Sequence, residues 1–431
     1  MGDLLGAGFA LAHKDNLYRC LDRLLVHKTD LFSFLQQGWQ RLFGAEFDVL
    51  LYDLTSTYFE AEPPFAEGDK RRFGYSRDHR PDWVQVVIAL VVTPEGLPLA
   101  YEVLSGNTAD KTTLRDFLGK IERQYGKARR VWVMDRGIPT EETLAEMRAA
   151  DPPVQYLVGV PKGRLSRLER DLVGKPWQEA RPGVEVKLLP RDGELYVFAQ
   201  SLDRVAKERS MRRRQLKGLW ARLKELHRMS VNLTRDDLLI KLGQAKAKWP
   251  GGWRLVDVEV DPDRAAFQYT LDRKKLRQSR RREGRYLLRS NLTEGDPAAL
   301  WSFYIQLVQV EEAFRTLKGD LAVRPIHHQE QGRIEAHIFI AFLAYCLHVT
   351  LGRRLKGLAP GLTPRSVFEK FAAVQMIDIH IPTADDRELQ LTRYTQPEPE
   401  LALLLHRLRL DLPDQPPPKI TSAQAAATLP L

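Results

Sequence analysis

Cysteine is scarce in this chain of 431 residues, which contains only Cys20 and Cys346. Two cysteines so far apart in sequence exclude the disulfide framework of a small secreted domain, and they leave no spacing typical of a zinc site. A chain that relies so little on cysteine chemistry fits a reducing compartment. We therefore expect a cytoplasmic protein.

Long hydrophobic runs are also lacking. The most apolar stretch, residues 338–351, contains His348 and is shorter than the roughly 20 residues that cross a bilayer. The first residues do not have the basic and then apolar order of a signal peptide. These features indicate a soluble protein, and at roughly 150 residues per domain its length leaves room for two or three structural units.

Acidic residues are outnumbered, since 56 Asp and Glu stand against 66 Lys and Arg and give a net charge of +10. Much of the excess lies in two segments: residues 203–230 contain ten basic and three acidic residues, and residues 272–289 contain nine and two. Either segment alone is explained by a solvated helix face. Together, on a basic chain, they predict a polyanionic partner.

The spacing of apolar residues divides the chain into helical and extended segments. After an N-terminal helical part, the pattern predicts strand, strand, strand, helix, strand, helix, strand, which is the order of an α/β fold with a mixed sheet. A long helix is predicted from Pro297, and disorder from about residue 411, where prolines and alanines replace the apolar pattern. The predicted segments are an N-terminal helical segment (1–45), the first part of the core (46–160), an inserted module (161–292), the returning core (293–355) and a C-terminal segment (356–431).

Two aspartates are predicted at strand ends, where side chains of neighbouring strands can converge. Asp53 follows the apolar segment 47–52, and Asp135 ends the segment 130–135. A single aspartate in this position is usually a cap or turn residue. Two of them, joined by a carboxylate from a later helix, would offer the hard oxygen ligands that Mg²⁺ and Mn²⁺ prefer.

Three motifs resemble those of DDE insertion-sequence transposases of the cut-and-paste group. The first two are YDLTST at residues 52–57, around Asp53, and VMDRG at residues 133–137, around Asp135. The third motif of the group is a tyrosine, an arginine, a glutamate and a lysine on one helix. Three of its four positions match here, at Tyr304, Glu311 and Lys318.

The arginine position of this signature is the departure, because Leu307 stands there. In the group that arginine is associated with phosphate contacts, and Arg315, further along the helix, is the candidate replacement. Residues 74–82, 106–110 and 324–337 also resemble the group, so the resemblance extends over about residues 47–350. It implies an RNase H-like mixed-sheet α/β core interrupted by a largely β insertion with basic helices, plus helical N- and C-terminal segments.

The resemblance also implies the chemistry. Asp53, Asp135 and Glu311 would form the catalytic and metal-binding triad, holding two Mg²⁺ ions per site with Mn²⁺ as a substitute. The neighbouring Glu312 is the alternative ligand, but the spacing favours Glu311, which lies two helical turns from both Tyr304 and Lys318. The partners would be double-stranded DNA, as element ends and target, and a second copy of the chain when synapsed on DNA. A nucleoid-associated cytoplasmic location follows.

Further candidate DNA contacts come from the motif helix and the two basic segments. His327, His328 and His337 are better explained by structural or DNA contacts than by a metal site. Trp220, Trp249 and Trp253 are better explained by core packing than by base stacking. The predicted DNA-binding residues are Tyr304, Lys318, Arg315, Arg212, Arg213, Arg214, Arg280, Arg281 and Arg282.

Two other functions stay open. Only 52 residues precede Asp53, fewer than the group usually carries for recognising terminal repeats, so residues 1–45 could be a truncated end-binding region. The chain would then be a non-enzymatic DNA-binding remnant or a transposition inhibitor. An RNase H-like nuclease is the other alternative, and it requires the triad but not Tyr304 or Lys318.

Overall fold

A computed structural model describes residues 14–126, 130–160, 168, 171, 175–292, 296–385, 387–412 and 414–422. Contacts divide the chain into two compact units. The first unit comprises Met1–Arg130 and Gln306–Leu431, and the second comprises Val131–Ile305. A separate module at residues 161–292 stays a prediction.

The helices and strands are numbered in chain order. The helices are α1 (Lys14–Val26), α2 (Lys28–Phe43), α3 (Asp110–Tyr125), α4 (Glu141–Ala149), α5 (Leu202–Met229), α6 (Arg235–Lys248), α7 (Pro250–Trp253), α8 (Arg273–Arg282), α9 (Pro297–Ile305), α10 (Val308–Lys318), α11 (Gln331–Leu358), α12 (Pro364–Phe371) and α13 (Pro399–Leu408). The strands are β1 (Val49–Phe59), β2 (Val84–Val92), β3 (Pro98–Ser105), β4 (Val131–Met134), β5 (Gln155–Gly159), β6 (Gln178–Arg181), β7 (Val184–Arg191), β8 (Glu194–Ser201), β9 (Val256–Val260), β10 (Phe267–Leu271), β11 (Arg285–Ser290), β12 (Met376–Pro382), β13 (Arg387–Tyr394) and β14 (Lys419–Ser422).

The first unit contains the antiparallel strands β3, β2 and β1, in that spatial order. β2 consists almost entirely of valine, isoleucine, leucine and alanine and is buried along its whole length, as suits a central strand covered on both faces. Gly96, with φ of +83°, makes the turn to β3. β2 and β3 therefore form an antiparallel hairpin.

Helix α11 supplies much of the core of the first unit. Contrary to the sequence-based expectation, it is long and apolar enough to cross a membrane, because it extends beyond residues 338–351 in both directions. Its Phe342 packs against Phe32 of α2, with ring centroids 5.0 Å apart, and against Tyr101 of β3 at 4.5 Å. Trp39 of α2 donates to the Thr350 hydroxyl at 2.8 Å. These contacts bury part of the apolar surface of α11.

The last three strands of the described residues form a second, smaller sheet in the first unit. Its order is β12-β13-β14, and both pairings are antiparallel. The prediction of disorder from about residue 411 is wrong for Lys419–Ser422, because their backbone pairs with Arg387–Gln390 of β13. Composition alone does not reveal such a pairing with an earlier strand. Residues 423–431 lie outside the described residues.

The second unit contains a mixed sheet in the order β4-β5-β11-β8-β7-β6. Only the pairing of β4 with β5 is parallel; the others are antiparallel. β7 and β8 form a hairpin, and its turn has positive φ at Asp192 and Gly193, as a two-residue hairpin turn requires. Ser290 of β11 donates its hydroxyl to the Tyr156 carbonyl of β5 at 2.6 Å, which fixes the centre of the sheet.

The long basic helix α5 has its own hydrophobic core with α6 and the β9–β10 hairpin. Leu219, Leu223 and Leu226 are completely buried at helical spacing. Phe267 of β10 joins them. Trp220, Trp249 and Trp253 pack against this cluster, in agreement with the packing explanation of these tryptophans. The basic side chains of α5 occupy its remaining surface.

The helix predicted from Pro297 through Lys318 is interrupted. α9 ends at Ile305 and α10 begins at Val308, with Gln306 and Leu307 in a turn between them. The N–H of Gln309 donates to the Gln306 carbonyl at 2.8 Å, a bond of the tighter i to i+3 kind. Tyr304 therefore lies on a different helix from Glu311 and Lys318, and the prediction of one continuous helix is wrong.

We expect Lys28 to make stability depend on pH. Its ammonium lies 3.8 Å from the centroid of the Tyr101 ring, and burial lowers its pKa from 10.5 to about 8. The unfolded chain therefore binds more protons than the folded chain between about pH 8 and 10.5, so stability rises with pH across that window. Urea unfolding of the wild type and Lys28→Met at pH 7 and pH 10 measures this: the variant should be more stable at pH 7 and less dependent on pH.

Lys28→Arg is the matched control, because arginine keeps its charge throughout this range. It should remove the same part of the pH dependence without the gain in stability at pH 7. An identical rise of stability with pH in the wild type and in Lys28→Met would contradict the assignment.

Candidate functional site

Asp53 lies in the middle of β1, where it pairs in register with Leu90 of β2. The prediction that it ends a strand is wrong, because the following residues, through Phe59, continue the ladder with β2. Its Oδ1 accepts the N–H of Leu54 at 2.8 Å. Asp53 is half-buried, and its two neighbours in β1 are buried. Its carboxylate is therefore held within the sheet and does not lie on an open loop.

The face of β1 that carries Asp53 is the face that α10 covers. Side chains alternate along a strand, so Asp53 points to the same side as Thr55. Thr55 lines a narrow cavity together with Phe314 and Leu317 of α10. Tyr52 points to the opposite side, where its hydroxyl donates to Thr113 of α3 at 2.7 Å. Within the first unit, Asp53 and the helix that carries Glu311 thus lie on one side of the sheet.

Glu311 and Glu312 are both exposed in the first half of α10, and the structure distinguishes their surroundings. Burial raises the pKa of Tyr345 and lowers that of His348, both in α11, and the charge of Glu312 makes a smaller contribution at each. Glu311 belongs to the first turn of α10, where the amide dipoles favour a negative charge. The two adjacent glutamates are therefore not equivalent.

In the second unit, Asp135 directly follows β4, as predicted. The hydroxyl of Tyr304 donates to Asp135 Oδ1 at 3.4 Å. Burial, and then the charge of Asp135, raise the pKa of Tyr304 far above its ordinary range, so this phenol stays protonated and remains a donor. The two motif residues are thus brought together.

Gly159 is a part of this arrangement that the sequence reasoning missed. A Cβ at this position of β5 would lie 2.7 Å from the Tyr304 hydroxyl and 3.3 Å from Asp135 Oδ1. Any larger residue would displace the tyrosine from the carboxylate. The available signal was a glycine at the end of a valine-rich strand, which often marks a close approach.

Lys318 is engaged in a second carboxylate contact, in the first unit. Its ammonium donates to Asp78 Oδ1 at 2.8 Å, and Arg324 Nη1 lies 2.8 Å from Asp78 Oδ2. Burial lowers the pKa of Lys318, and the Asp78 carboxylate opposes this shift. Asp78, only 10% exposed, therefore holds two cations in place. Asp78 and Arg324 lie in residues 74–82 and 324–337, which resemble the transposase group. Neither was among the site residues predicted from the sequence.

The two cations line a cleft of about 560 Å³. The Arg324 guanidinium lies over the ring of Tyr58 at 5.3 Å, and Arg80 lies over the same ring at 5.0 Å. The remaining lining includes Gln329 and His327. A cleft bounded by guanidinium, ammonium and an aromatic ring suits a phosphate-bearing ligand.

The described residues contain no group of three or more His, Cys, Asp or Glu side chains that could hold a metal ion. Asp53 and Glu311 belong to the first unit and Asp135 to the second, so the triad as a metal site stays a prediction. Its carboxylates have the donor chemistry that Mg²⁺ prefers. His337 contacts the Val323 carbonyl at 3.1 Å, and its ring packs against His328.

The predicted basic contacts divide into two classes. Arg212 is 9% exposed and donates to Glu283 at 2.5 Å, so the structure uses it to hold the end of α8 on α5. Its assignment as a DNA contact stays a prediction. The other predicted arginines are exposed, namely Arg213, Arg214, Arg280, Arg281, Arg282 and Arg315.

Comparisons with known proteins give one family. The family model described as a transposase DDE domain matches residues 46–347. No curated protein matches. A solved structure of a piggyBac transposase synaptic complex with hairpin DNA is similar at 9% identity and a TM-score of 0.38, over 80% of this chain. The chain spans 57% of the length of that transposase.

We expect Asp78→Asn to lower the free energy of unfolding by about 1–3 kcal/mol, because it leaves two partly buried cations without their shared counter-charge. Asp82→Asn is the control, since Asp82 pairs with Arg80 at an exposed position of the same segment. It should cost less than about 1 kcal/mol. Urea unfolding measures both, and equal losses would show that Asp78 contributes no more than a surface ion pair.

Proposed function

This chain belongs to the DDE transposase family, and we propose that it cuts double-stranded DNA at the ends of a mobile element and joins the freed ends to target DNA. The observation that carries the proposal is the family match over residues 46–347, which contains all three carboxylates of the motifs. We place the reaction in the bacterial cytoplasm, on nucleoid DNA.

We assign Asp53, Asp135 and Glu311 as the ligands of two Mg²⁺ ions. The support is the motif of each residue and the oxygen donors that they offer. When bound, such ions activate the attacking water or 3′-hydroxyl and stabilise the leaving oxygen. For Glu311 rather than Glu312, the support is the motif spacing, which places Glu311 seven residues from both Tyr304 and Lys318.

The protein's own residues orient these carboxylates. The N–H of Leu54 restrains one oxygen of Asp53. The protonated Tyr304 hydroxyl restrains one oxygen of Asp135, and Gly159 leaves the space for it. Both contacts orient a carboxylate of the motifs. Such support from neighbouring hydrogen bonds is what a precise catalytic arrangement requires.

DNA would be held mainly through its phosphates. Lys318 and Arg324 face the cleft of the first unit, and Arg315 is exposed on α10. The exposed arginines of α5 and α8 provide a second basic surface. Phosphate contacts of this kind give affinity that falls with salt and carries little sequence information.

We expect Glu311→Gln to reduce Mg²⁺-dependent strand cleavage by roughly three orders of magnitude while DNA binding is retained. The reason is that the carboxylate takes part in the chemical step and not in DNA binding. Glu312→Gln is the matched control and should keep most of the activity. Cleavage of a labelled duplex carrying the terminal repeats measures both variants. Loss of cleavage in Glu312→Gln alone would transfer the assignment to that residue.

The same assay separates the proposal from its alternatives. A wild type that binds DNA but does not cut it with Mg²⁺ or Mn²⁺ would be a binding remnant or an inhibitor. A wild type that cuts but never joins the 3′ ends to a target plasmid would be a nuclease. Cleavage at the repeats followed by joining is the outcome expected of a transposase.

We expect Arg213→Ala/Arg214→Ala to weaken binding to all duplexes alike and to reduce the slope of log K against log salt by about 1 for each phosphate that the variant no longer neutralises. Arg212→Ala should instead lower stability, because it leaves Glu283 buried without its partner. Fluorescence anisotropy at several salt concentrations measures the slopes, and a weakening confined to the terminal repeats would show that α5 reads bases.

A further inference from the structure

The outer strand of the C-terminal sheet, β12, is exposed over nearly its whole length. β13 is its only strand neighbour in the part of the chain that the structure describes. Six of its seven residues are exposed, including Ile377, Ile379 and Ile381 at 45%, 41% and 41%. An edge strand with exposed isoleucines at alternate positions is a template for pairing with another chain.

Backbone hydrogen bonds at both ends of β12 show which of its groups face outward. The Gln375 carbonyl and the Thr383 N–H bond to the backbone at the two ends of β13, each at 2.8 Å. These are odd-numbered positions, and backbone groups alternate in direction along a strand. Asp378 and His380 therefore present their N–H and C=O groups to the open edge.

The sequence of this edge is complementary to itself in only one antiparallel register. Three twofold pairings bring the outward residues Asp378 and His380 opposite themselves or each other, and they are centred on Asp378, Ile379 and His380. A centre at Asp378 places this residue opposite the partner's Asp378. A centre at His380 places this residue opposite the partner's His380. A centre at Ile379 places Asp378 opposite the partner's His380 on both sides of the axis, where an imidazole N–H can donate to a carboxylate oxygen.

We propose that two copies of this chain associate through β12, in an antiparallel pairing centred on Ile379. Asp378 and His380 exchange backbone hydrogen bonds with the partner copy, so the two three-stranded sheets join into one of six strands. On the other face, Ile379 meets its own copy and Ile377 meets the partner's Ile381. Pro382, which has no N–H, ends the ladder.

Contacts within the chain hold both polar side chains on one face of the sheet. The Thr392 hydroxyl donates to Asp378 at 2.5 Å, and His380 Nδ1 contacts Glu388. Thr392 and Glu388 belong to β13, so these contacts do not occupy the outer edge. The proposal does not rest on the proposed function, and it gives the homodimer expected on DNA an interface that forms without DNA.

Cysteine cross-linking tests the register. In Ile379→Cys, made in a Cys20→Ser background, the two Cα atoms would lie about 4.5 Å apart, within the range of a disulfide. In Ile377→Cys they would lie roughly 13 Å apart, beyond that range. With a mild oxidant and no DNA, the full-length chain should form covalent dimers at position 379 at least tenfold faster than at position 377. Equal rates would overturn the register.

Charge variants test the interface by light scattering and sedimentation without DNA or metal. His380→Asp places like charges opposite each other twice and should weaken dimerisation by about tenfold or more. His380→Lys places an ammonium opposite Asp378 and should keep the dimer. Lys419→Asp is the matched control, because Lys419 shares the polar face with His380 in register but lies on the far strand β14.

His380→Pro separates edge pairing from packing of one sheet face on another. It removes an outward N–H and leaves the ladder with β13 intact, so it should give a folded monomer. Circular dichroism checks the fold. A wild type that is monomeric at 100 µM, or a dimer that survives His380→Pro, would overturn the proposal. These outcomes are independent of DNA cleavage, so failure of the proposed function is recognised separately.

Discussion

The antiparallel pairing of β1 with β2 is the constraint on which the first unit depends. It extends β1 from Val49 through Phe59 and so places Asp53 within the sheet, with Leu90 as its register partner. Alternation then directs Tyr52 toward α3 and Asp53 toward α10. A slip of one residue would exchange these faces and bury the carboxylate on the wrong side. Only in this register does Asp53 lie on the side of the sheet that α10 covers.

Buried carboxylates decide which basic side chains remain available to a ligand. Asp78 fixes Lys318 and Arg324 at the wall of the cleft, and Glu283 engages Arg212. At both positions a buried carboxylate orients basic side chains of this positively charged protein. Basic composition therefore predicts a polyanionic partner, while the ion pairs determine which of the cations can reach it.

The two proposals concern different parts of the first unit. DNA cleavage is assigned to carboxylates carried by β1 and α10, together with Asp135 of the second unit, whereas self-association is assigned to the edge of the C-terminal sheet. An association that forms before DNA is bound would present two catalytic copies together. Bringing two element ends together is a need of any enzyme that joins both ends to one target.

The sequence by itself determined the order of strands and helices in residues 46–160 and the position of Asp135 after β4, because these follow from local periodicity. The motifs also identified the family. Only the tertiary structure decided that β1 continues past Asp53, that the motif helix breaks at Gln306, and that Arg212 and Lys318 are bound to carboxylates. The extension of β1 and the two ion pairs depend on partners far along the chain, and a local pattern contains no information about such a partner.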